Sequence, residues 1–148
     1  MMKTGGGEVI RWQPGALRAL ESRQAMQDYV LDPSRRTRRS RTRIEGPRRK
    51  LALDTYVHRH ALIGPRVFYR GYEFARYDPH GLVIMDGPLQ CTDSEFKAVL
   101  PRLATVIAAC TSWDWELGTI TSPQGHPYEI RDAMAHRFIL KYKESTLA

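Results

Sequence analysis

The sequence has 148 residues, of which 42% are hydrophobic and 26% charged, with a formal charge of +7. That length suits one modest core rather than two generous ones. The longest apolar runs are four or five residues, so no segment offers the roughly 20 apolar residues of a membrane-crossing helix, and none reads as a signal peptide.

The charge is distributed unevenly. Residues 1–34 hold four cations and four anions, and residues 51–148 hold ten cations and eleven anions. Between them, residues 35–50 (RRTRRSRTRIEGPRRK) hold nine cations against Glu45. The whole positive excess therefore lies in one short segment. Eight of its nine cations are arginine, whose planar fork matches phosphate bidentately and stacks on bases, so an anionic partner is the natural inference.

In chain order, residues 1–8 contain Gly5-Gly6-Gly7 and carry no fold signal. Pro14 suits the first turn of a helix. Leu17, Leu20, Met26, Val30 and Leu31 then form an imperfect apolar stripe, which predicts a helix over about 14–31 that Asp32-Pro33 stops. A helix with so weak a stripe and no adjoining core is marginal alone, so it is expected to pack on a protein partner or on another copy of the chain. The segment 35–50 has one apolar residue, Ile44, and cannot offset the entropy of its own ordering. It is expected to be a flexible linker or arm, which makes 1–50 an N-terminal extension and 51–148 a compact domain.

From Leu51 the composition is that of a folded body. The run RVFYRGYEFARY, residues 66–77, predicts one strand, Asp78-Pro79-His80-Gly81 a turn, and Leu82 to Met85 the hairpin partner. Thr92 with Glu95 makes a capping box that opens a helix running to Cys110, with Phe96, Val99, Leu100, Leu103 and Ile107 at helical spacing. Pro101 falls inside it and predicts a kink or a break. Trp113 to Ile120 alternates apolar with polar and predicts a third strand, with both tryptophans in the core, and Ser122 to Pro127 is a loop. Ile130, Met134, Phe138 and Tyr142 fall at intervals of four, which predicts a C-terminal amphipathic helix from Tyr128 to Lys143. The expected fold class is α+β: a small antiparallel sheet with helices on one face, preceded by an N-terminal helix and an arginine-rich flexible linker.

Two groups of residues suit nucleic acid. Arg35, Arg36, Arg38, Arg39, Arg41, Arg43, Arg48, Arg49 and Lys50 can bind phosphates by displacing counterions. Alternation along residues 66–77 would put Arg66, Phe68, Arg70, Tyr72, Phe74 and Arg76 on one strand face, where rings take bases and guanidinium groups take phosphates. Arg66, Arg70, Tyr72 and Arg76 complete the candidate set. A β-bulge at Gly71 would instead turn Val67, Tyr69, Tyr72 and Phe74 into the core and leave the arginines in solvent.

His58, His60, His80, His126, His136 and Asp78 lack any metal-ligand or catalytic spacing, so no metal, cofactor or catalytic residue is assigned. Cys91 and Cys110 flank the capped helix beyond disulfide reach and are expected as free thiols. That implies a reducing compartment, cytoplasmic or nuclear/nucleoid, rather than secretion. The function favoured is a non-enzymatic nucleic-acid-binding subunit of a larger nucleoprotein assembly, with DNA and RNA both open. The alternative is an adaptor whose basic arm docks an acidic protein partner. An enzyme acting on nucleic acid would need carboxylates or histidines to converge in the fold, and spacing does not show that they do.

Overall fold

The structure, a computed structural model, describes residues 9–32 and 45–143. In chain order the elements are α1 (Ala16–Ala19), α2 (Arg23–Leu31), β1 (Glu45–Ala52), β2 (Thr55–His60), β3 (Gly64–Tyr69), β4 (Tyr72–Asp78), β5 (Gly81–Ile84), α3 (Asp93–Cys110), β6 (Asp114–Glu116), β7 (Thr119–Thr121), β8 (Pro127–Glu129), α4 (Ile130–Ala135) and β9 (Ile139–Leu140). The fold is α+β. One antiparallel sheet runs β1-β2-β3-β4-β5-β9, and a smaller one runs β6-β7-β8. No helix among the described residues is long and apolar enough to cross a membrane.

Tight turns hold the large sheet in register. Between β3 and β4, Arg70 (φ 47°) and Gly71 (φ 85°) both lie in the left-handed region, the backbone of a two-residue type I′ hairpin. The predicted Asp78-Pro79-His80-Gly81 turn is present, with the His80 amide donating to the Asp78 carboxylate at 3.1 Å. One face of the sheet is apolar. It buries Leu51, Val57, Val67, Phe74, Tyr77, Leu82 and Ile84 against Met26 and Val30 of α2 and against Phe96, Val99, Leu103 and Ile107 of α3.

α3 begins as the sequence predicts. The Glu95 amide donates to the Thr92 hydroxyl, and the Thr92 amide donates back to the Glu95 carboxylate. The helix runs on through Pro101 without a break. Next to it, buried Arg102 donates to the Ala98 carbonyl at 2.6 Å, the Thr55 hydroxyl at 2.8 Å and the Leu53 carbonyl at 3.2 Å. It also lies 4.6 Å from the Tyr69 ring centre, so one side chain ties α3 to the turn between β1 and β2.

Four expectations are corrected. Residues 66–77 are two strands rather than one, because Arg70-Gly71 turns the chain; Gly71 is in the turn and not at a bulge. The irregularity lies further on, opposite Val67 and Phe68, and leaves both Phe74 and Ala75 fully buried. Trp113 to Ile120 is likewise a hairpin, turning at Leu117 (φ 50°) and Gly118 (φ 84°). The C-terminal helix stops at Ala135. Arg137 adopts φ 49°, the Phe138 amide donates to the Ala133 carbonyl, and the Arg137 amide to the Met134 carbonyl, the double bond of a Schellman stop. The chain then covers the open edge of β5 as β9.

The fourth correction concerns the N-terminal extension. Its helix, split in two around Leu20 to Ser22, packs on the chain's own sheet, with Ala16, Leu20, Met26, Tyr29 and Val30 in the same core as the body. The Tyr77 hydroxyl donates to the Leu20 carbonyl at 2.8 Å, and the Tyr29 hydroxyl donates to the Lys50 carbonyl at 2.6 Å. The expected boundary after residue 50 falls inside β1, whose first residues come from the arginine-rich segment. Leu20→Ala or Met26→Ala should therefore lower the urea midpoint of the whole cooperative transition, followed by tryptophan fluorescence (Trp12, Trp113 and Trp115), by the equivalent of about 2–5 kcal/mol. An unchanged midpoint would restore the helix to an independent extension.

Candidate nucleic-acid interface

The pleat of the large sheet sends a second set of side chains to the face opposite the helices. Cross-strand register lines them up in two rows. Lys50, Tyr56, Phe68 and Glu73 form one, and Arg48, His58, Arg66, Arg76 and Val83 form the other. Four of these nine are basic, two are aromatic and one is histidine, against the single carboxylate of Glu73.

Glu73 organises the centre. Arg66 donates to both of its carboxylate oxygens at 3.0 Å, and Arg76 donates to both at 2.7 and 2.8 Å. The Glu73 side chain is 11% exposed, so these bidentate bonds are partly shielded from water. Burial pushes the Glu73 carboxyl up, but the hydrogen bonds from Arg76 and Arg66 outweigh it and hold the group below its ordinary value. Two cations on one anion leave a net positive charge, with both guanidinium planes fixed.

The rings lie beside them. His58 and Phe68 have centroids 4.5 Å apart, the Arg66 guanidinium sits 5.1 Å from the Phe68 centre, and that of Arg48 sits 5.1 Å from the Tyr56 centre. Together Arg48, Tyr56, His58, Arg66 and Phe68 line a cleft of about 360 Å³ that ends at Asp54, Arg70 and Gly71. It is at the small end of ligand-sized clefts.

The candidate residues divide between places. Arg35, Arg36, Arg38, Arg39, Arg41 and Arg43 lie outside the described residues. Arg48, Lys50, Arg66 and Arg76 share the outer face. Arg70 stands at the hairpin turn, exposed, with its Nε donating to Asp54 at 2.9 Å, a bond that raises its pKa. Tyr72 pairs with Tyr69 and so belongs to the helix side, half-buried at the hairpin end. Arg49 also points to the helix side. It packs 3.6 Å from the Tyr29 ring centre and donates to the Tyr29 carbonyl at 2.7 Å, which makes it a clamp between β1 and α2. The sequence reading weighs His58 only for a metal or catalytic role and leaves Tyr56 out, although the alternation of TYVHRH is a strand signal.

Among the described residues no group of three or more His, Cys, Asp or Glu is placed to hold a metal. The His60 Nδ1 accepts from the Leu62 and Ile63 amides, closing the turn after β2. Cys91 and Cys110 are both free thiols. Burial pushes the Cys110 thiol up to about 12, the opposite of what a nucleophile needs. Comparisons with family models, curated proteins and solved structures find no match to this chain.

The Glu73 cluster carries a pH signature. A carboxylate with a lowered folded pKa stabilises above its unfolded value, here near 4.5, and loses that contribution as pH falls through the folded value. Glu73→Gln should be less stable than wild type at about pH 7, and the gap in unfolding free energy should close as pH falls below about 4.5. A gap that stays constant with pH would mean that the ion pairs contribute nothing.

Proposed function

We propose that the protein is a non-enzymatic nucleic-acid-binding subunit of a larger nucleoprotein assembly, in which the arginine-rich segment grips phosphates. The observation that carries this reading is the concentration of charge: nine cations, eight of them arginine, against one carboxylate within residues 35–50, in a chain otherwise close to neutral. Neutralising phosphates in series releases condensed counterions, and this sequence-independent term dominates non-specific affinity for nucleic acid.

The continuity of the segment with the sheet adds support. Its last residues are β1, whose outer side carries Arg48 and Lys50. A backbone held by the segment can therefore continue onto a basic surface without reversing sign. The rest of the chain, with fourteen cations and fifteen anions, is suited to protein contacts rather than to holding a polyanion.

Binding should weaken steeply with salt, with a log–log slope of about 0.7 to 0.9 per phosphate neutralised. Replacing Arg35, Arg36, Arg38, Arg39, Arg41 and Arg43 together by Ala should flatten that slope by up to about 4 to 5, with little change in sequence preference. The body should stay folded. A variant that keeps the wild-type slope, or a wild type whose lysate partners all survive complete nuclease digestion, would overturn the reading.

A further inference from the structure

We infer that the outer face of the large sheet holds unpaired bases of a single-stranded nucleic acid on Tyr56, His58 and Phe68, with Arg48 and Lys50 taking the flanking phosphates. This deepens the proposed function and rests on it. The arginine-rich segment alone would favour any polyanion, duplex included. The sheet face is different in kind, because rings contribute nothing to phosphate binding and a duplex keeps its base faces stacked inside.

Three observations carry the inference. Tyr56 and Phe68 are directly paired across β2 and β3, and His58 lies 4.5 Å from Phe68, so the rings form one platform on regular strands rather than on loops. The guanidinium groups of Arg48 and Arg66 are already set against the Tyr56 and Phe68 rings, and that of Arg66 is locked on Glu73, so ring faces and guanidinium planes meet in one cleft. Such pairs are the surfaces on which splayed bases stack. Finally, the charge suits this occupant. Arg48, Lys50, Arg66, Arg70 and Arg76 stand against Glu73, Asp54 and, beside Arg76, Asp78, and the segment leading into β1 adds six arginines without an acid between residues 33 and 44. An acidic protein would satisfy the cations, but it gives no reason for three rings at their centre.

The test uses the full chain, with labelled strands of about 12 nucleotides, deoxy and ribo, and a duplex of the same length, within the usual range of single-strand sites. Fluorescence anisotropy is read for wild type, Tyr56→Leu, Phe68→Leu and Phe68→Ala, each checked by thermal melting; the leucine variants keep an apolar side chain and remove only the ring. Each leucine variant should bind the single strands about 5- to 150-fold more weakly, with duplex affinity and salt slope unchanged. A strand carrying 5-iodouracil, irradiated with the wild type, should cross-link at Tyr56, His58 or Phe68. The stronger of the deoxy and ribo strands identifies the sugar.

Folded leucine variants that bind single strands like wild type would overturn the inference, as would equal losses on strand and duplex, or adducts confined to other residues. If duplex binding and its dependence on the six segment arginines persist in those cases, the proposed function survives without the platform. A wild type that binds neither polymer overturns both.

Discussion

A pleated strand sends alternate side chains to opposite faces, and in this protein that alternation decides where everything else goes. Five antiparallel ladders keep one face apolar, and α2 and α3 bury it. Charge and aromatic surface unsuited to that core collect on the other. A one-residue slip of β3 against β2 would turn Arg66 inward in place of Val67, putting a guanidinium among the core leucines, so register is strongly specified. The outer face is thus held by the same interaction that holds the core.

Rigidity on that face has a local source. Two bidentate arginines on Glu73, in a site only partly open to water, fix side chains that would otherwise lose considerable rotamer entropy on meeting a ligand. Gly87 supports the same residue from behind, since a Cβ there would run into the Glu73 backbone. In the proposed function, preformed guanidinium planes and rings on strands would lower the cost of recognition, while the charge of the preceding segment would raise the rate of encounter.

Much of this was legible in the sequence, and the failures have physical reasons. The α3 capping box and the Asp78 to Gly81 turn are local chemistry, and local chemistry can be read from neighbours in the chain. The hairpins at Arg70-Gly71 and Leu117-Gly118 were missed because a type I′ turn needs two left-handed residues, and arginine or leucine at the first position lacks the Asn or Asp signal. β1 was hidden by its own charges. Glu45 to Lys50 has no core-facing pattern alone and becomes a strand because β2 offers a ladder and because Arg49 finds the Tyr29 ring. The same oversight concealed the shared face of Tyr56 and His58, since a strand not recognised has no face. Arg66 and Arg76 were placed on one face by simple alternation, and they do share it, but through an irregular β4 in which Phe74 turns inward. Ending α4 at a left-handed Arg137 answers the need to cover the β5 edge, which no pattern within the C-terminal residues announces.

Under the proposed function, a nucleic-acid strand lies along the face away from the helices, continuous with the arginine-rich segment. Amide and side-chain chemical shifts of the isotopically labelled full chain, followed through titration with a single strand of about 12 nucleotides, put this to the test. The largest changes should fall on Arg48, Lys50, Tyr56, His58, Arg66 and Phe68, with the α2 and α3 residues of the core unmoved. Changes confined to the helix side of the sheet or to the small sheet, with the outer face silent at saturation, would contradict it.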